Sequence, residues 1–123
     1  MMDTRLTLTQ ISLLAAYAAG MAGGQLLFKL AALRLPADVS AGERALALLQ
    51  NGFFLVALIL YAALAVLWVW ILTFTPLSRA YPFVALAFAL APLAAAYAFA
   101  EPLTARLLVG IAAIMVGLFL VVG

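Results

Sequence analysis

Lys29 stands inside an apolar stretch of the chain, in the run from Gly20 to Lys29. The sequence is 71% hydrophobic and 8% charged, so a cation within such a run is a rare group. An ammonium close to hydrocarbon is costly, and it usually faces a protein interior, a watery cavity or a ligand headgroup. A lysine near a helix end can instead snorkel its ammonium to the membrane interface. The residue therefore indicates either an anion-binding group or an interfacial anchor.

Two further polar residues could take part in binding at this position. Gln25 lies one helical turn before Lys29 on the same face, and its amide can both donate and accept hydrogen bonds. Glu101 comes just before Pro102, between two apolar segments. It could pair with Lys29, bind an amine, or be a surface carboxylate favoured near the start of a helix. Arg34 and Arg106 are predicted first as interfacial anchors, and Tyr17 and Tyr97 as buried structural hydroxyls.

The composition excludes several kinds of chemistry. The chain has no cysteine and no histidine, so disulfides, thiol redox chemistry and the commonest general base are absent. We expect no cofactor and no metal. The net charge of +2 is too small for a nucleic-acid surface. No nucleophile with a base and no paired acid and base are visible, so the sequence does not favour an enzyme.

The apolar segments predict an all-α integral membrane protein. Each crossing needs roughly 20 apolar residues, and the 123 residues hold a single domain of four spans, at about 8–33, 46–75, 80–100 and 104–122. The N-terminal stretch is not expected to be a cleaved signal peptide, because the apolar segment behind it is too long. The loop charges differ too little between the two sides to predict the membrane orientation.

Local signals predict how these helices begin, bend and pack. Ser40 and Glu43 form a capping-box pattern that would start one long helix through the second span, with a kink at Asn51. Pro92 removes a donor inside the third span and predicts a hinge. Thr104 can cap the fourth span. Small residues let helices approach closely in lipid, and the glycines expected at such contacts are Gly23, Gly24, Gly110 and Gly117.

Three short features of the sequence together resemble a known family. The run from Pro76 to Tyr81 resembles the signature that opens the third helix of the small multidrug resistance branch of the drug/metabolite transporter superfamily. The segment from Gly110 to Gly117 is similar to its fourth-helix dimerisation segment, and Lys29 matches the lysine that closes its first helix. The resemblance covers nearly the whole chain. It implies a dimer of four-helix subunits and a substrate contact at Tyr81.

One departure from that family changes the expected substrate. Its cation exporters resemble one another in a membrane-embedded glutamate eight residues before the lysine, where this chain has Met21. The family's tryptophan three residues after the signature tyrosine is replaced by Val84. The group that would bind a cation or protons is missing, so proton-coupled cation antiport is not expected.

A sub-branch of the superfamily (EamA-like) resembles the chain more closely. Its members flip aminoarabinose linked to undecaprenyl phosphate across the bacterial inner membrane. The shared strings are Gly24-Gln-Leu-x-x-Lys29, Ala80-Tyr-Pro82 and Glu101-Pro-x-Thr-x-Arg106. The resemblance implies a lipid-linked sugar as substrate, Lys29 as the partner of its phosphate, and a homodimer or a heterodimer with a paralogous subunit. Its substrate contacts would be Lys29, Gln25, Glu101, Tyr81 and Arg106.

Two alternatives stay open at this stage. The first is a small-solute or cation exporter of the same superfamily. The second is a membrane accessory or scaffold subunit that transports nothing.

Overall fold

Within residues 6–122, four helices are long and apolar enough to cross a membrane. They are seen in a computed structural model that describes residues 6–122, so the first five residues of the N-terminal stretch lie outside it. Every regular element in that range is helical, which confirms the all-α prediction. The elements are α1 (Leu8–Leu33), α2 (Ala41–Leu49), α3 (Gly52–Leu72), α4 (Leu77–Ala80), a 3₁₀ turn (Tyr81–Phe83), α5 (Val84–Phe99) and α6 (Ala105–Val122).

The first span begins at a reciprocal cap that the sequence analysis did not identify. The Gln10 backbone N–H donates to Thr7 Oγ1 at 3.2 Å, and the Thr7 backbone N–H donates to Gln10 Oε1 at 2.8 Å. These two bonds satisfy amide donors that a helix start would otherwise leave unpaired. The helix then runs to Leu33, so its ends are those predicted.

The prediction of one continuous helix through the second span is wrong, because the chain breaks at Asn51. That residue is extended, and its Oδ1 accepts the Phe54 N–H at 3.2 Å while its Nδ2 donates to the Ala31 carbonyl of α1 at 3.0 Å. Ser40 does cap a helix as expected, by accepting the Glu43 N–H at 3.2 Å. That helix is the short α2. The second span is α3 alone, and it ends at Leu72, before the predicted Thr75.

The third span is assembled from α4, the 3₁₀ turn and α5. Pro92 lies inside α5, which continues past it to Phe99. Ala100 then adopts a left-handed conformation with φ 54° and ψ 32°, which ends the helix one residue before Glu101. The Leu107 N–H donates to Thr104 Oγ1 at 3.1 Å, the contact expected of a cap at the start of α6.

The helix α1 is central, because α3 and α5 both pack against it, whereas α6 packs on α5. Two glycines of α1 permit the close contact with α3. A Cβ added at Gly24 would lie 2.6 Å from the Tyr61 ring, and one at Gly20 would lie 2.8 Å from Leu64. A Cβ at Gly23, Gly110 or Gly117 would meet nothing within 4 Å.

Candidate functional site

The Lys29 ammonium forms an ion pair with Glu101. Lys29 Nζ lies 3.4 Å from Glu101 Oε1, and it is the one ion pair found within residues 6–122. The lysine lies in the last turns of α1, and Glu101 directly follows the left-handed residue Ala100 that ends α5. The two side chains are 45% and 43% exposed. An exposed pair of this kind contributes only about 0.2–1 kcal/mol, so either partner can be exchanged at low cost.

A groove runs from this ion pair along the seam between α1 and α5. One pocket of about 360 Å³ is lined by Lys29 and Glu101, and a second of about 380 Å³ is lined by Met21 and Phe88. Both pockets share Gln25, Ala91 and Pro92 as lining residues. We call this pair of pockets the α1–α5 groove, with its mouth at Lys29 and its deep end at Met21. It offers charged groups at the mouth, an amide halfway along and an apolar deep end.

Tyr61 of α3 holds the Gln25 side chain in place. Gln25 Nε2 donates to Tyr61 Oη at 2.9 Å, and Tyr61 Oη donates to the Met21 backbone carbonyl at 2.9 Å. The tyrosine ring stacks on Phe28 with centroids 5.2 Å apart. Tyr61 is not among the binding residues predicted from the sequence. The available signal was a tyrosine in an apolar span, whose hydroxyl needs a partner when it is buried.

Two of the predicted binding residues, Tyr81 and Arg106, are not among the residues that line the α1–α5 groove. Tyr81 is 62% exposed and contacts the edge of Trp68, with centroids 6.4 Å apart. The 16 residues of α5 correspond to about 24 Å of helix, so Tyr81 and Glu101 lie at opposite ends of the third span. Arg106 is exposed and lines a neighbouring pocket between α5 and α6. The structure brings together Lys29, Gln25 and Glu101 only.

Hydrogen bonds seal the end of the molecule opposite the groove mouth, which we call the closed end. Gln10 Nε2 donates to the Phe74 carbonyl at 2.9 Å and to Thr75 Oγ1 at 3.1 Å. Arg79 donates to the Val121 carbonyl at 2.7 Å, which ties the short helix α4 to the last turn of α6. A buried cluster of Leu14, Ile71, Ala80 and Phe83 lies at this end. None of these hydrogen-bonded residues lines the α1–α5 groove, whose two pockets lie toward the other end of the bundle.

Comparison with known proteins identifies a relative over most of the chain. It is 44% identical over 100 residues, which cover 80% of this chain and 82% of the relative. That protein is the probable 4-amino-4-deoxy-L-arabinose-phosphoundecaprenol flippase subunit ArnE of Serratia proteamaculans strain 568. The chain belongs to this family of flippase subunits. No family model matches the chain, and no solved structure matches it.

Family membership confirms the resemblance found in the sequence. The structure shows where the glutamate of the cation exporters would lie, since Met21 occupies its position. Met21 lines the deep end of the α1–α5 groove. Among residues 6–122, the only charged side chains that line the two pockets are Lys29 and Glu101, both at the mouth. The groove of this flippase-family member is thus formally neutral, with one charge of each sign.

The two tyrosines predicted as buried structural groups differ from each other. Tyr17 is partly buried and stacks on Trp68, with ring centroids 4.8 Å apart. Tyr97 is 95% exposed, so the prediction that it is buried is wrong. It lies in the last turns of α5, close to the level of the groove mouth, where an amphipathic ring can lie at the membrane interface.

Proposed function

We propose that this chain is a subunit of a flippase that moves an undecaprenyl-phosphate-linked amino-sugar across the bacterial inner membrane. The observation that carries the proposal is the exposed Lys29–Glu101 ion pair at the mouth of the α1–α5 groove. The relative's name gives its substrate as an amino-sugar joined to a phosphate and a polyprenyl chain. Such a headgroup carries one anion and one cation, which matches the one cation and one anion at the mouth.

Binding would proceed by exchange of ion-pair partners. The compact Lys29 ammonium, with three donors, takes the substrate phosphate, and the Glu101 carboxylate takes the ammonium of the sugar. Each charge keeps an opposite partner throughout, so no bare charge enters the groove. Because the internal pair is partly exposed and weak, the exchange costs little.

The rest of the groove would accommodate the sugar while the polyprenyl tail stays in lipid. Gln25 offers hydrogen bonds to hydroxyl groups, and Tyr61 fixes the position of its amide. Pro92 cannot donate to the Phe88 carbonyl, and both residues line the deep end. A flexible backbone there would let the closed end open as the headgroup passes.

We further propose that the chain works with a second subunit, either another copy or a paralogue. The relative is named as a subunit, and the groove of one chain is open along its length. Apolar side chains of α6 are left exposed, among them Val109, Val116, Phe119 and Leu120. No observation favours a cation exporter or a passive scaffold over the flippase.

Reconstitution with fluorescent undecaprenyl-phosphate aminoarabinose tests this function. The protein is purified with any subunit that accompanies it, and leaflet accessibility of the lipid is followed over time. We expect Lys29→Gln to reduce flipping to the rate of empty vesicles, while Arg44→Gln on α2 serves as a control of equal charge change. Wild-type protein no faster than empty vesicles, or a Lys29→Gln variant as fast as wild type, would overturn the proposal.

Transport of a second substrate distinguishes the role of Glu101 from that of Lys29. Glu101→Gln should slow flipping of the amino-sugar lipid while it spares a neutral sugar on the same phosphate, because only the amine needs the carboxylate. Equal losses for both lipids would show that Glu101 does not bind the amine.

A further inference from the structure

A second cavity, of about 780 Å³, lies between α1, α2 and α3, away from the α1–α5 groove. Leu27 and Arg34 both line it, and their seven-residue spacing places them on the same face of α1. Lys29 is five residues from Arg34, which corresponds to about 140° around the helix. The cavity and the groove therefore use different faces of the same helix. We call this cavity the Arg34 pocket.

Arg34 supplies a positive charge at the rim of this pocket. Its guanidinium carbon lies 5.2 Å from the centroid of the Phe53 ring. A guanidinium stacked on an aromatic face keeps its edge N–H groups available for an oxyanion. Within residues 6–122 the only ion pair joins Lys29 to Glu101, and no acidic residue is among those that line the Arg34 pocket. The pocket thus holds a cation without an anion, unlike the neutral groove.

The pocket spans the boundary between water and hydrocarbon. Arg34 directly follows the last residue of α1, and Gln50 directly precedes the break that starts α3, so its polar rim lies at the membrane surface. Leu27 lies seven residues deeper along α1, about 10 Å further into the membrane. Val56 continues the apolar wall on α3, and Ala47 of the short helix α2 forms the outer wall.

We propose that the Arg34 pocket binds an anionic glycerophospholipid of the surrounding membrane. The Arg34 guanidinium binds the phosphodiester, the Gln50 amide binds a glycerol or ester oxygen, and one acyl chain lies along Leu27 and Val56. The unmatched positive charge selects a headgroup with net negative charge. A zwitterionic headgroup would leave its own cation beside the arginine. This site is independent of the transport groove and of the proposed function.

Lipid titration by native mass spectrometry of the detergent-purified protein tests the proposal. The probes are phosphatidylglycerol and phosphatidylcholine with identical acyl chains. Wild-type protein should retain phosphatidylglycerol in preference, and Arg34→Gln should weaken that binding about fivefold, the loss expected for one arginine at an anionic surface. Arg106→Gln is the matched control, since it removes an exposed arginine at the same end of the bundle. Equal effects of the two substitutions, or no preference in wild type, would overturn the proposal.

A second variant keeps the Arg34 charge but fills the apolar part of the Arg34 pocket. Ala47→Trp should also weaken phosphatidylglycerol binding, because the indole would occupy the path of the acyl chain. Lys29→Gln should leave phosphatidylglycerol binding unchanged.

Competition experiments identify the source of the bound phosphate. Glycerophosphoglycerol, which has the headgroup but no tails, should not compete at the same concentration. Equal competition by it would mark a free-phosphate site, and displacement of phosphatidylglycerol by equimolar undecaprenyl phosphate would assign the pocket to the transported lipid. Either result would overturn the proposal.

Discussion

The polar residues of the α1–α5 groove were predictable from their types, whereas Tyr61, which positions Gln25, was not. A lysine in an apolar run, a glutamine one turn earlier and a glutamate at a proline turn are each visible in the sequence. Tyr61 is 36 residues from Gln25, and no local pattern connects the two. The packing of α3 on α1 at Gly20 and Gly24 brings the Tyr61 hydroxyl to the Gln25 amide.

Removal of the Tyr61 hydroxyl should impair both transport and stability. Tyr61→Phe keeps the stacked ring but deletes both hydrogen bonds to α1, so the Gln25 amide loses its fixed position. Each lost bond costs about 0.5–1.5 kcal/mol of stability, and we expect flipping to slow about fivefold or more, the rate effect of one such bond in the transport barrier. Thermal unfolding in detergent and the flipping assay measure the two effects. Tyr97→Phe is the control, and an equal loss of transport in that variant would contradict the prediction.

Two neighbouring glycines should differ sharply in their tolerance of alanine. Gly24→Ala places a methyl group 2.6 Å from the Tyr61 ring, so we expect a loss of about 1–3 kcal/mol in stability from overpacking. Gly23→Ala meets nothing within 4 Å and should be neutral or slightly stabilising. Unfolding of both variants in the same detergent measures the difference. Equal midpoints would show that the contact between α1 and α3 is not tight there.

At the scale of the elements, hydropathy located the spans but not the break between α2 and α3. A capping box at Ser40 and a continuous apolar pattern predicted one long helix. Asn51 interrupts it because its side chain caps α3 and bonds to the Ala31 carbonyl of α1 at the same time. The second of these partners is a tertiary contact, so sequence pattern alone indicated only a kink.

The two ends of the bundle should differ in their access to the groove. Since the chain contains no cysteine, Met21→Cys introduces a single thiol at the deep end. We expect a membrane-impermeant maleimide to label it from the side of the groove mouth and not from the closed end. Addition of Gln10→Leu and Arg79→Gln removes the bonds that seal that end, and it should increase labelling from there severalfold. Unchanged labelling would show that these bonds do not hold the closed end shut. The addition of Thr9→Val, at a nearby exposed position, is the control.

At the scale of the whole molecule, the four-helix fold followed from the apolar segments, but nothing in the sequence pattern shows which face meets a partner. The helix α6 contributes one buried residue, Ile111, and its remaining apolar side chains are partly or largely exposed. In lipid such exposure is compatible with a single chain, because hydrophobicity does not drive helices together there. The assignment of α6 to the subunit contact therefore rests on the family resemblance and its open glycines.

Substitution of Gly117 should weaken subunit association and leave the fold intact. The open space around this residue accommodates a leucine within the chain, while the same side chain would block the close approach of a second helix. We expect Gly117→Leu to reduce energy transfer between labelled subunits in bilayers at least several-fold, with unchanged helicity. Gly42→Leu, at an equally open glycine of α2, is the control. Association as strong as in wild type would place the contact elsewhere.

The position of α6 also has a consequence for biogenesis. The helices α1, α3 and α5 contact one another through α1, and all three precede α6 in the chain, so they can pack together before α6 is synthesised. Chains generally fold from the N-terminus as they emerge. The helix α6, which the proposal places at the subunit contact, thus follows the two helices that form most of the groove wall, and most of that wall can be in place before a partner binds.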